Sequence, residues 1–427
     1  MSRYSKSLWS RRRLLGASAA ALAAPVIAPR RAWARGTEIR LGWVSPTTGP
    51  IAGFGQADDY IMAGIEKAIG AGLEINGKTY SVRFIRKDTQ SSANRAAEVA
   101  SQLILEDEVH MMLSSSTADT VLPVTDQCEL NEVPSVSTDT PWDAFFFARG
   151  GDPARGFDWT YHFFWGSSQI VDSYVSLWDQ LDTNRRVGML LSNDNDGVSQ
   201  SDPKTGMAAK LRERGYEVVD GGLFEPLSDD YSAQIGRMRD AGVDIISGVF
   251  LPPDWTTFYV QAVQQGFRPK ATTVAKALLF PSAVESLGAL GAGMSTEVWW
   301  SPNHPYPSTL TGESSADIAN GYMAASGRQW VQPMGYKHAL AEAAVDILRR
   351  CDDPMDPGAL MEAIRTTDMT TLVGPVNFQS GPVPNVCSTP VVGGQWAKGD
   401  SYPYDLKVAE NRYAPEIKVQ APFHPLS

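Results

Sequence analysis

The sequence predicts an α/β protein of two similar lobes around a cleft. The first third alternates strand and helix patterns as βαβαβαβ, which implies a parallel sheet covered by helices. A second βα series of similar length follows from Ser167. The long helical patterns after Trp300 bring few strands of their own, so they are expected to return over the first lobe. The chain then crosses between lobes near Phe164, near Ser301 and near Phe378. Three crossings make a hinge, and a hinge between α/β lobes makes a closing cleft.

The chain opens on an expected export signal, residues 1–34. Arg11-Arg12-Arg13-Leu14-Leu15 is a twin-arginine pattern, Leu14 to Ala28 is apolar, and Ala32-Trp33-Ala34 is a cleavage site. A membrane anchor is the alternative. The apolar run is shorter than the roughly 20 residues a span needs, and Pro25 and Pro29 interrupt its end. The mature chain is expected to begin near Arg35 and to be soluble outside the cytoplasmic membrane.

Lobe 1 is expected over residues 35–164 plus 302–372. Glu38–Val44 alternates as a strand, and Gln56–Ala71 places Ile61, Ile65, Ala68 and Ile69 at helical period. Asn76-Gly77 turns into the strand Lys78–Lys87, and Ala93–Glu106 is a helix with Ala96, Val99, Leu103 and Ile104 on one face. Val109–Leu113 is the next strand. It ends in Ser114-Ser115-Ser116-Thr117, before a helix over Ala118–Glu132 with Pro123 near its start. Val133–Val136 is a short strand that ends in a second hydroxyl-rich turn, Ser137-Thr138-Asp139-Thr140. Residues 143–162 are an aromatic, glycine-rich excursion. Lobe 2 is expected over 165–301 plus 373–427. Its strands are Arg186–Leu191, Tyr216–Gly221, Asp244–Phe250, Ala271–Val274 and Thr296–Trp300, and Val373–Phe378 is strand-like.

Composition narrows the partners. The formal net charge is −11. Residues 1–34 hold seven cations and no acid, so the mature chain carries −18, a poor surface for nucleic acid or anionic lipid. Cys128, Cys351 and Cys387 are too few for a disulfide scaffold. An exported protein can still form one bridge. Cys351–Cys387 is the expected pair, with three free thiols as the alternative.

No motif points to bond chemistry. Gly72 to Thr79 matches G-x-x-x-x-G-K-[ST], but the order here is helix, turn, strand, whereas phosphate binding needs strand, loop, helix. The five histidines lack metal spacing, and no G-x-S-x-G, C-x-x-C or G-x-G-x-x-G occurs. No cofactor is expected. The two hydroxyl-rich turns lie one βαβ unit apart. In a parallel sheet they face one crevice, where hydroxyls and helix N-terminal amides suit a carboxylate. An ordinary N-cap turn reads Ser114–Thr117 equally well. Trp142 fits packing or ligand contact, Trp299 and Trp300 fit core or hinge packing, and Asp196 fits a turn former or a contact. Lys276 ends an apolar strand where an anion partner fits.

Five stretches stand in an order that resembles a family: Ile39–Gly55, the Asn76-Gly77-Lys78 turn before a strand ending in Asp88, Ser114–Thr117, Val133-Pro134-Ser135-Val136-Ser137, and Gly374-Pro375-Val376-Asn377-Phe378. Together they resemble the type I periplasmic substrate-binding proteins of ABC importers, of the leucine/isoleucine/valine-binding kind. The resemblance spans the mature chain. It implies two Rossmann-like lobes joined by a three-strand hinge, a ligand cleft between them, and delivery of a small solute to a membrane permease.

Carried over residue by residue, the resemblance implies that Ser114 and Ser115 hold a ligand carboxylate, and that Ser137 offers its carbonyl. Asp139 stands where amino-acid binders have threonine, or Thr138 or Thr140 with a one-residue gap, and Phe54 covers the ligand. Asp196 stands for a family tyrosine, Leu251 or Pro252 for an aromatic, and Lys276 for the acid that pairs with an amino group. A lysine there repels an ammonium and favours a carboxylate. With the flat faces of Phe54 and Trp142, the expected ligand is an aromatic or short aliphatic carboxylate, with Asp139 accepting from it or pairing with Lys276. The expected protein is a monomeric, periplasmic importer component. A ligand sensor and an exported α/β enzyme are the alternatives.

Overall fold

The computed structural model describes residues 37–426, and the export-signal reading of residues 1–34 lies outside them. The first series runs β1 (Glu38–Ser45), α1 (Asp58–Ile69), β2 (Leu73–Ile75), β3 (Lys78–Asp88), α2 (Ala93–Leu105), β4 (Met111–Ser115), α3 (Ala118–Leu130), β5 (Ser135–Thr138), α4 (Trp142–Phe147) and β6 (Thr160–Phe163). The second runs α5 (Ser167–Trp178), β7 (Arg186–Ser192), α6 (Asn195–Gln200), α7 (Met207–Glu213), β8 (Glu217–Phe224), α8 (Ser232–Asp240), β9 (Ile245–Val249), α9 (Pro252–Gln264), β10 (Ala271–Ala275), α10 (Pro281–Ser286) and β11 (Ser295–Val298). Then come α11 (Ser315–Ser326), α12 (Pro333–Arg350), α13 (Pro357–Arg365), β12 (Asp368–Thr371), β13 (Gly374–Asn377), β14 (Val386–Cys387), β15 (Val392–Lys398) and β16 (Tyr404–Glu410).

Among the described residues these strands form two seven-stranded sheets and one hairpin. The first sheet has the order β14-β6-β5-β4-β1-β3-β2, parallel except at the β2–β3 edge. The second has the order β16-β15-β11-β10-β9-β7-β8, parallel except where β15 and β16 join. Strands covered on both faces read as apolar runs rather than clean alternation, and β4, β9 and β10 are buried at every position. The long helix α12 packs on α1, β4 and β5, so it covers the first sheet. Its buried Leu340, Val345, Ile347 and Leu348 contribute about 1.5–3 kcal/mol each, which holds it there.

The literal phosphate-loop match falls on the β2–β3 hairpin. Asn76 and Gly77 both have positive φ, the signature of a two-residue hairpin turn. No helix among the described residues is long and apolar enough to cross a membrane.

Two expectations need correction. The chain passes between sheets at residues 164–166, between β11 and α11, and at residues 388–391. The third passage therefore comes after Phe378. Strand β13 pairs with β12 in the separate hairpin and β14 pairs with β6 in the first sheet, so the chain joins the second sheet only at β15. A two-residue strand inside a Pro/Gly-rich stretch has no periodicity to read.

The Cys351–Cys387 bridge is also absent, and all three cysteines are buried thiols. Cys387 lies in β14 at one edge of the first sheet. The carbonyl of Cys351 accepts from Asn76, in the turn at the opposite edge. Six strand spacings at about 4.8 Å separate those edges, far beyond the roughly 7 Å a disulfide tolerates.

Candidate functional site

The carboxyl ends of both sheets meet at one cavity. Thr117, Asp139 and Pro141 reach it from the turns after β4 and β5. Val249, Ala275, Lys276 and Glu297 reach it from β9, β10 and β11. Two of the passages between sheets add aromatic rings: Phe164 and Trp165 from one, Trp299 from another. Asp139 and Lys276 each follow a strand directly, and each is held at positive φ, +71° and +67°. Non-glycine residues rarely adopt that conformation, and where they do they cluster at functional sites.

Lys276 is the electrostatic centre of the second sheet's side. Its Nζ lies 2.8 Å from Asp196 Oδ2, 2.9 Å from Asp194 Oδ2 and 3.6 Å from Asp119 Oδ2. Burial alone lowers its pKa, but the three carboxylates outweigh burial and raise it, so it stays charged. Burial pushes Asp196 up to about 6, helped by Asp194 and Asp119 and opposed by Lys276. The oxygens of these three aspartates lie within 4.8 Å of one another, close enough to hold a metal ion, but the Lys276 ammonium sits among them.

The same aspartates clasp the two sides together. Asp196 accepts from the Ala118 amide at the start of α3, at 3.3 Å. Asp119, in the first turn of α3, accepts from the Asn195 amide at the start of α6, at 3.0 Å. Each carboxylate thus meets the amide-rich, positive end of the other helix. Phe54 and Phe280 add an edge-to-face contact between the sides, with ring centroids 5.2 Å apart.

On the first sheet's side, Asp139 is 4 % exposed. Its Oδ2 accepts from the Ser115 hydroxyl, while Oδ1 has no hydrogen-bond partner among the described residues. Burial pushes its pKa up to about 7, against the Lys337 charge and the Ser115 hydroxyl and with the help of Asp58. Lys337 itself is fully buried, 2.8 Å from Asp58 Oδ1 and 2.6 Å from Ser45 Oγ. Across the cavity, Glu297 accepts from Tyr174 at 2.5 Å and from Thr296 at 2.8 Å, and burial pushes it up to about 7.

Four other lining residues share the feature of Asp139. Thr117 Oγ1, Gln200 Oε1, Trp165 Nε1 and Trp299 Nε1 are buried and have no hydrogen-bond partner among the described residues. A polar atom left so costs about 1–3 kcal/mol, so five at one cavity are a large bill for structure alone. Thr117 stands at the N-cap of α3 without capping it, and Ser114 and Ser116 are unpartnered too. An ordinary N-cap turn would have bonded such a hydroxyl to the helix amides.

Of the residues singled out in the sequence, Phe54, Asp139, Asp196 and Lys276 line the cavity. Ser115 reaches it through Asp139, and Ser114 lies buried beneath. Ser137 bonds His162 and the Tyr161 carbonyl, and Thr138 bonds the Phe163 carbonyl, so both hydroxyls tie β5 to β6. Trp142 and Pro252 do not line this cavity. Trp142 packs on Phe147 over the close approach of Gly166, and Pro252 is the half-buried first residue of α9. Asp139 pairs with Ser115, and not with Lys276. Thr117, Phe164, Trp165, Gln200, Glu297 and Trp299 line the cavity as well. Trp299 and the Phe164–Trp165 pair carried a signal in their place at expected crossings. Gln200 and Glu297 carried none.

The sequence pattern described as periplasmic binding protein matches residues 38–399. The chain belongs to the periplasmic binding protein family. Solved structures share the fold, two α/β lobes of the type I periplasmic binding protein kind. A leucine binding protein LivK from Thermotoga maritima is 19% identical with a TM-score of 0.70, covering 88% of this chain and 99% of its own. The branched-chain amino acid transporter substrate binding protein LivJ from Streptococcus pneumoniae, in complex with isoleucine, is 17% identical at 0.67, covering 87% and 99%. A solute binding protein of an ABC transporter from Rhodopseudomonas palustris, in complex with 3,4-dihydroxybenzoic acid, is 17% identical at 0.67, covering 87% and 97%.

Proposed function

We propose that this protein is the solute-binding component of an ABC importer. It is exported, cleaved near Ala34, and works as a monomer in the periplasm, where it closes around a small amino-acid-like or carboxylate solute and delivers it to a membrane permease. The supporting observation is the cavity between the two carboxyl edges, with five buried polar atoms on its wall that the protein leaves unpartnered. Relatives of the same fold hold isoleucine and 3,4-dihydroxybenzoic acid.

The mechanism is differential affinity. A solute that touches both lobes gains contacts only when they close, so it shifts the population towards closure, and a permease can read that state. No bond is made or broken. A thermal-shift screen of the stripped mature chain tests the reading. A ligand at 100 times its Kd adds about 2.7 kcal/mol and raises Tm by a few degrees. A panel of amino acids, amides and carboxylates that leaves Tm unmoved contradicts it.

A further inference from the structure

The start of α12 touches every passage between the lobes. Tyr336 is fully buried there. Its ring meets Phe164 of the first passage edge-to-face, with centroids 4.9 Å apart, and Trp299 at the start of the second, at 5.1 Å. Its hydroxyl lies 2.7 Å from Thr389 Oγ1, in the third.

The neighbours of Tyr336 on the helix grip the lobes themselves. Gln332, at the N-cap, accepts from the Trp299 amide and donates to the Glu297 carbonyl, each at 2.9 Å, so it holds the end of β11 in the second sheet. Gly335 takes the Trp300 ring so closely that a Cβ there would overlap it. Lys337 donates to Ser45 at the end of β1, in the first sheet. The body of α12 lies on β4 and β5. The helix is thus fixed to lobe 1, and its first turns reach across to the second.

In a hinge, a few residues absorb the rotation while the lobes stay rigid. Thr389 stands three residues before β15, and Trp299 directly follows β11. Both shift against Tyr336 when lobe 2 turns on lobe 1. Ring packing tolerates such a shift, whereas a hydrogen bond weakens steeply away from its preferred distance and angle. Here the cross-cleft contacts of Asp196 with Ala118 and of Asp119 with Asn195 are made, so the Tyr336–Thr389 bond belongs to lobes drawn together. Tyr336 does not line the cavity, although Phe164 and Trp299, which pack on it, do.

We propose that Tyr336 is the hinge pin: the three passages turn about its ring, and its hydrogen bond to Thr389 holds the lobes in the closed position. It is a positioning residue that acts on solute only through closure, and the proposal rests on the solute-binding reading above.

Spin labels read closure without any solute. Leu130→Cys at the end of α3 and Leu223→Cys in β8 place one label on each lobe, at side chains 76 % and 45 % exposed, while the native cysteines are buried. Pulsed dipolar distances are taken on the stripped mature chain. Tyr336→Phe keeps the ring and removes the hydroxyl, and Thr389→Val removes its partner. Each should lower the ratio of closed to open chains by about fivefold, the order of one hydrogen bond, and so add a second distance to the distribution. The double variant should shift no further than either single one, because both remove the same bond. A distribution that matches the parent in both single variants overturns the proposal, and a lowered Tm beside it makes Tyr336 packing alone. Shifts that add in the double variant overturn it as well. The thermal-shift panel stays independent: silence there overturns the solute-binding reading, while the labels still report whether Tyr336 sets the lobe position.

Discussion

Asp196 joins the two lobes through its two oxygens: Oδ2 lies 2.8 Å from Lys276 Nζ on its own side, and Oδ1 accepts from the Ala118 amide across the cleft. One carboxylate thus couples the second lobe's buried charge to the first lobe's helix. Removing the cation leaves Asp194 and Asp196 facing each other with little water to screen them. Lys276→Met is expected to destabilise the protein by about 3–5 kcal/mol, the scale for breaking a buried pair. Denaturant unfolding measures it. A midpoint within error of the parent contradicts a structural role for the clasp.

Lys337 and Asp58 form a second buried pair beneath the site, 2.8 Å apart with Lys337 fully buried. Trp43 also donates to Asp58, at 3.1 Å. Lys337→Met alone should cost about 3–5 kcal/mol, because it strands the Asp58 carboxylate. Lys337→Met combined with Asp58→Leu should cost less than the two single changes summed, the excess being the coupling. Additive losses in the double-mutant cycle would count against the pair.

The raised pKa of Asp139 has a pH signature. Its ordinary value is 3.8, and burial takes it to about 7 in the folded protein, where Lys337, Asp58 and Ser115 face it. Between those values the folded chain holds a proton that the unfolded chain has lost, so this group's contribution to stability falls as pH rises through the window. Asp139→Asn removes that loss. The stability of the variant relative to the parent should therefore grow from pH 5 to pH 8. Urea midpoints at the two pH values check it, and a constant difference contradicts the assignment.

Trp299 offers a finer test. Its ring packs edge-on against Phe164, with centroids 5.0 Å apart, while its Nε1 has no hydrogen-bond partner among the described residues. Trp299→Phe keeps an aromatic ring at the hinge and removes the donor. Ligand affinity should fall by about tenfold, the order of one hydrogen bond in a buried site. Titration calorimetry reads this directly. Unchanged affinity would make the indole N–H a spectator.

Much of the fold was legible because covered parallel strands announce themselves as short apolar runs. The two hydroxyl-rich turns were legible because both follow such runs directly. What could not be read was set by distant packing. The third passage between sheets hangs on the two-residue β14, and Cys351 and Cys387 end at opposite sheet edges although both stand late in the chain. At the site, Lys276 was visible as a cation at a strand end, but its partners are Asp119, 157 positions earlier, and Asp194 and Asp196 at the N-cap and first turn of α6. Charge at a site is a sum over neighbours, and no local spacing reports it. Trp142 packs on Phe147 away from the cavity lining, and a flat aromatic ring in sequence reads the same for packing and for ligand contact.

The central claim is that solute draws the two lobes together. Small-angle scattering of the stripped mature chain, titrated with the tightest binder from calorimetry, tests it most directly. The account predicts a smaller radius of gyration at saturation, and a Lys276→Met chain that stays more extended at the same ligand excess. A radius that does not change while calorimetry shows the site filled would contradict it.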